Sequence, residues 1–285
     1  MTSSTPPTTH YPPLDAILGQ AQQDEKAARK ALRHLAPTLP DEAPVQLALG
    51  LTYLSFEQPR DALRALKRAV ELAPGDILAR YHLGTVQTDS GLLPQGEENL
   101  RLAAAAEPEN ADYQAALGFN FYKANKQTEA IKALESAAAA GSEDGDVFAS
   151  LGYLYYFGKR LADGRDAFGR AIALKPDYAE VYNNRGYLGI LLGDLATAQT
   201  DLAACLSLDA DFLRARYNQA LATWLQGDHD AAKERYRLAR LQDRGDAELR
   251  QHLDDFDEIS AAWPADASLK ELRLDLAVAK KAGRR

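Results

Sequence analysis

The sequence predicts an all-α solenoid of helix-turn-helix repeats with capping helices at both ends. Three observations carry that prediction: a 34-residue period, columns of small residues at fixed places within it, and amphipathic segments beyond the period at either end. Gly50, Gly84, Gly118, Gly152 and Gly186 lie 34 residues apart, and the next step lands on Ala220. Twelve residues on come Ala62, Gly96, Ala130, Gly164, Ala198 and Ala232, and seven further Ala69, Ala103, Ala137, Ala171, Cys205 and Ala239.

Residues 1–12, "MTSSTPPTTHYP", are expected to form a disordered leader, because proline removes backbone donors and threonine buries little surface. Residues 13–42 read as a degenerate amino-terminal helical cap, with Ala28 and Leu32 in the small and large columns and Pro40 closing the unit. Six repeats follow over residues 43–246 without an insertion. Each divides into two amphipathic halves at a residue able to take the left-handed conformation, namely Asn125, Gly193 or Gly227. A helical glycine costs about 1 kcal/mol against alanine, so its recurrence requires a close helix crossing. The large residue of the second helix, Leu66, Leu100, Leu134, Phe168, Leu202 or Tyr236, is expected to fill that crossing. Residues 247–285 give the carboxy-terminal capping helices, "AELRQHLDDFDEIS" and "SLKELRLDLAVAKKAG", joined through Trp263 and Pro264.

The small columns, the leucines Leu49, Leu83, Leu117 and Leu151 before the glycines, and the closing Pro74, Pro108 and Pro176 resemble the tetratricopeptide repeat. The resemblance covers 204 of 285 residues. It implies a right-handed superhelix whose first helices line a concave groove. Departures concentrate in the fifth and sixth units, where Arg185 and Gln219 replace the leucine and Gly189 and Thr223 an expected larger residue; looser packing or a small rotation is expected there.

Composition excludes several functions. A formal charge of −8 and a pI near 5.2 disfavour nucleic acid as a partner. A lone cysteine forms no internal disulfide, no apolar run reaches a membrane span, and the start lacks a signal peptide, so a cytoplasmic location is expected. No phosphate-binding loop, dinucleotide fingerprint, paired cysteine motif or metalloprotease helix occurs. Neither catalysis, a cofactor nor a metal is therefore expected. Cys205 reads as a small buried hydrophobe and His229 as turn packing. The basic stripe Lys233, Arg237, Arg240 and Arg244 is expected to pair with Asp254, Asp255, Asp257 and Glu258 of the following helix.

The expected function is a protein-interaction scaffold or adaptor that binds a partner peptide or protein segment in an aromatic-lined groove. Tyr155 falls on the inter-helix column of Tyr53 and Phe121, so it belongs to the core. Its neighbours Tyr153, Tyr156 and Phe157 cannot share that face, and the resemblance assigns them to the groove wall. The same wall continues through Tyr81, Phe119, Tyr122, Asn183, Tyr187, Tyr217 and Trp224. Rings of this kind anchor peptide side chains at small entropic cost. Asp112, Asp146 and Glu180 open three successive first helices and would face basic anchors of a partner, alongside apolar ones. The carboxylate clamp of some relatives is rejected, because its positions hold Leu47, His82, Asp112, Ala115, Ser150 and Glu180. The alternative is a structural protein that self-associates through its carboxy-terminal helices.

Overall fold

A computed structural model describes residues 11–282; the first ten residues of the expected leader lie outside the described residues. Those described are helices and turns, with no strand among them. The chain divides after Ser142 into two compact units. Each is a solenoid of stacked helix pairs.

The first unit opens with α1 (Pro12–Ala21) and α2 (Glu25–Leu35), the latter running into a 3₁₀ turn over Ala36–Thr38. Proline suits the first turn of α1, where its missing N–H would have no helical partner. The Asp24 carboxylate starts α2 by accepting from the Ala27 amide at 2.9 Å. Within this pair Leu14, Ile17, Ala28 and Leu32 are buried, in one cluster with Ala48, Leu49 and Phe56. Three repeats follow as α3 (Ala43–Ser55) with α4 (Pro59–Leu72), α5 (Ile77–Asp89) with α6 (Leu93–Ala106), and α7 (Ala111–Lys123) with α8 (Gln127–Ala139).

The second unit holds α9 (Gly145–Phe157) with α10 (Leu161–Leu174), α11 (Ala179–Leu191) with α12 (Leu195–Leu208), and α13 (Leu213–Leu225) with α14 (His229–Gln242). Three shorter elements close it: α15 (Ala247–Asp254), α16 (Phe256–Ala262) and α17 (Ser268–Ala282). The segment expected as one helix from Ala247 therefore divides at Asp255.

One residue per repeat ends the first helix in the left-handed region. These are Glu57, Gly91, Asn125, Lys159, Gly193 and Gly227, with φ between 54° and 91°, again 34 residues apart. The glycine column does what its recurrence demands. A Cβ added at Gly50, Gly84, Gly118 or Gly152 would stand 2.5 to 2.7 Å from Leu66, Leu100, Leu134 or Phe168 respectively. At Gly186 the same Cβ would stand 3.0 Å from Leu202, so the crossing has relaxed where the pattern departs. The replacements there form polar pairs. Arg185 donates to both oxygens of Asp201, at 2.6 and 2.8 Å, and Gln219 accepts from Arg235 at 2.8 Å.

Arg237 and Arg240 of the basic stripe, and Asp257 and Glu258 of the acids expected to pair with it, have other partners. Arg237 binds Glu234 one turn away, Arg240 binds Asp246, and Asp257 and Glu258 are held by Arg273 and Lys159. Glu234 and Asp246 lie closer in sequence and reach the arginines first. Cys205 is buried, and burial followed by the nearby Asp209 pushes its thiol up to about 12, which keeps it protonated and inert. Among the described residues no helix is long and apolar enough to cross a membrane.

Candidate functional site

In the first unit the predicted residues lie on α5 and α7. The Tyr81 ring lies 4.8 Å from Tyr113 and 4.8 Å from His82. Burial, opposed by Asp76, lowers His82 to about 4, so this histidine is neutral at physiological pH. Phe119 and Tyr122 stand three residues apart on α7 and share a face, with Tyr122 39 % exposed. Asp112 is exposed in the first turn of α7, where it complements the helix dipole.

In the second unit the carboxy-terminal segment covers much of the predicted wall. Tyr217 is fully buried; its hydroxyl donates to Asp243 at 3.1 Å and its ring stacks on His252 of α15 at 5.4 Å. Trp224 is 2 % exposed, stacks on His229 at 4.1 Å and donates its indole N–H to the Ser268 hydroxyl at 2.8 Å. Asn183 is buried too, accepting from Asn218 at 3.0 Å and donating to Asn184 at 3.1 Å. These three are joints of the fold, which corrects the expectation that they line an open groove. Their polar atoms are already matched, the Tyr217 ring lies against His252 of α15, and the Trp224 ring lies against His229 of α14.

Tyr153, Tyr156 and Tyr187 remain half-buried, and each hydroxyl meets a carboxylate. Tyr153 donates to Glu180 at 2.7 Å and accepts from Asn184 at 2.5 Å, so Glu180 is bound within the chain. Asp146 stands 3.5 Å from Lys175. Tyr156 and Tyr187 both donate to one Glu258 oxygen, at 2.7 and 3.2 Å, and Lys159 donates to the other at 2.6 Å. Phe157 is exposed, its ring 5.2 Å from Tyr156.

The electrostatics follow from that geometry. Burial and the facing carboxylates hold all three tyrosines well above the usual phenol range, so they act as neutral donors. Desolvation alone would raise Glu258, but hydrogen bonds from Lys159, Tyr156 and Tyr187 outweigh it and keep the carboxyl below the usual range. A cavity of about 260 Å³ remains beside this joint, lined in part by Tyr153, Asn184, Arg214, Asn218, Gln251 and Asp255. Burial pushes Asp255 up to about 6, with Arg214 pulling the other way and Glu258 adding to the rise.

Sequence reasoning missed Lys159 and Ser268, and gave Glu258 to the basic stripe and Trp263 to a link. Positions 122, 156, 190 and 224 form a single column with the 34-residue period, and the carboxy-terminal segment meets its last three members in order. Glu258 takes Tyr156, the Trp263 indole N–H donates to the Ile190 carbonyl at 2.9 Å, and Ser268 takes Trp224. The contacting residues are five apart along the segment. The spacing is visible in the sequence only once the column it meets is known.

Two stretches, residues 53–118 and 179–212, match family models of the tetratricopeptide repeat. Solved structures share the fold. YrrB, described as a tetratricopeptide protein with an unusual peptide-binding site, superposes with a TM-score of 0.62 at 21 % identity over 68 % of this chain and 99 % of its own. The Pseudomonas aeruginosa pilF structure gives 0.62 at 20 % identity over 75 % and 97 %, and MamA gives 0.52 at 22 % over 57 % and 95 %. No curated protein sequence matches the chain. With the period, the glycine crossings and the left-handed turns on the same register, the chain has the tetratricopeptide-repeat fold and carries tetratricopeptide repeats at residues 53–118 and 179–212.

Proposed function

We propose that the chain is a non-catalytic adaptor whose first helices hold a segment of another protein, those of the first unit standing open. One observation carries this reading. Tyr156, Ile190 and Trp224 each bind a group from a chain segment, while Tyr122 holds the same column in the first unit and stands exposed. Phe119 and Tyr81 extend the aromatic surface, and Asp112 adds a carboxylate for a basic anchor. The peptide-binding site described for YrrB shows that the fold supports such a role in another protein. A photo-cross-linking residue placed at position 122 in cells should trap a partner segment, and one at Leu102, exposed on α6, should not. Equal trapping at both positions would contradict the reading.

A second reading, self-association, is favoured by the apolar surface of α17. Leu274 and Val278, four residues apart on one helical face, are 66 % and 64 % exposed. Leu274→Glu with Val278→Glu should convert a dimer to monomer in sedimentation. A monomeric wild-type chain at cellular concentration removes this reading.

A further inference from the structure

The carboxy-terminal segment sits on the second unit's column as a ligand would, meeting it at three successive points. Glu258 supplies a carboxylate to Tyr156, Tyr187 and Lys159; Trp263 supplies an indole N–H to the Ile190 carbonyl; Ser268 supplies a hydroxyl to the Trp224 N–H. We propose that residues 256–268 are a resident, displaceable ligand of the Tyr156–Ile190–Trp224 column. The external partner of this face is then an acidic segment that presents a carboxylate, an indole and a hydroxyl at the same five-residue steps.

Three features argue for exchange over a permanent cap. Phe256 and Ile259 of the segment are fully buried, but its hydrogen bonds to the column are separate polar points, and the cavity of about 260 Å³ beside α15 leaves part of the joint below core packing density. The segment and α15 before it are crowded with like charge, Glu248, Asp254, Asp255, Asp257 and Glu258 falling within eleven residues. Asp255 is buried beside the cavity and is pushed up to about 6, so its ionised form opposes docking near neutral pH. The charge of the face matches an acidic occupant as well. Lys159 stands at one end of the joint and Arg214 at the cavity, 3.5 Å from Glu248. Basic anchors were expected at this wall from the sequence; the second unit instead receives a carboxylate.

The inference rests on the reading of the first-helix column as a segment-binding surface, but it fails separately, because cross-linking at position 122 is blind to this exchange. The test uses the full chain carrying Glu258→Lys and Trp263→Phe, which leaves Trp224 as its sole tryptophan, and a fluorescein-labelled peptide of residues 254–269. Release of the segment should shift Trp224 emission to the red. The opened chain should bind the peptide about tenfold or more tighter than the wild-type chain, since the wild-type segment competes. Adding Tyr156→Phe and Tyr187→Phe should reverse that gain about tenfold, because both donors to the carboxylate are gone. A peptide with Glu258→Lys should not bind. Should the opened chain lose its helical circular dichroism, full-length Glu258→Gln takes its place with the same peptide assay. Failure of either opened chain to take up the peptide, or Trp224 emission unmoved in the opened chain, overturns the proposal and makes the segment a fixed part of the fold.

Discussion

Gly118 and Gly186 occupy the same column and face different neighbours. A Cβ at Gly118 would lie 2.6 Å from Leu134, whereas at Gly186 the nearest atom of Leu202 is 3.0 Å away. Gly118→Ala should therefore destabilise the chain by about 1 to 3 kcal/mol, overpacking outweighing the roughly 1 kcal/mol helix-propensity gain. Gly186→Ala should come out close to neutral, and urea midpoints of the two variants compare them directly. The column was legible because a recurring close approach tolerates few residue types. Glu57 was not legible as a helix terminator: its φ of 54° leaves no mark in residue type, although its position repeats that of Asn125. Glu57→Gly should stabilise by roughly 0.5 to 1 kcal/mol, relief of left-handed strain exceeding the entropy lost by glycine. A lower urea midpoint would contradict that balance.

At the level of elements, α15 is fastened by a histidine that cannot hold a proton. His252 contacts the Tyr236 hydroxyl at 3.0 Å and stacks on Tyr217, and burial, with Arg214 adding, lowers it to about 3. Its ordinary value of 6.5 applies in the unfolded chain, so between pH 6.5 and 3 only the unfolded state takes up the proton. That contribution is fully present above pH 6.5 and is lost as pH falls. Asp255 has the opposite sign: raised from 3.8 to about 6, its contribution is complete below 3.8 and lost as pH rises through 6. Between pH 7 and 5 the urea midpoint should fall less in His252→Gln than in wild type. It should fall more steeply in Asp255→Asn, where the opposing group is gone. The same slope in all three chains would show that neither group couples to folding.

On the scale of the whole chain, the sequence reveals what its period encodes and conceals what lies outside it. The helix pairs, the burial of Ala28 and Leu32, and the placement of Tyr155 in the core all follow from contacts within or between adjacent helix pairs. The coverage of Tyr217 and Trp224 does not, because the covering segment belongs to no repeat. Its contacts span 102 residues from Tyr156 to Glu258, 73 from Ile190 to Trp263 and 44 from Trp224 to Ser268. Glu258, which looked destined for the neighbouring basic stripe, is drawn instead to the hydroxyls of Tyr156 and Tyr187 and the ammonium of Lys159. A double-mutant cycle on Tyr156→Phe and Glu258→Gln should return a coupling of about 1 to 2 kcal/mol, the range of a hydrogen bond to a charged group. Additive effects would mean that the two side chains do not act together.

Hydrogen exchange on the amides of α16 addresses the occupied column most directly. In the wild-type chain these amides should be protected, since a seven-residue helix is not stable without packing. In the Tyr156→Phe, Tyr187→Phe chain they should exchange about tenfold faster or more, with α9 and α11 unchanged. Exchange at unstructured rates in the wild type, or equal protection in the two chains, would contradict the account.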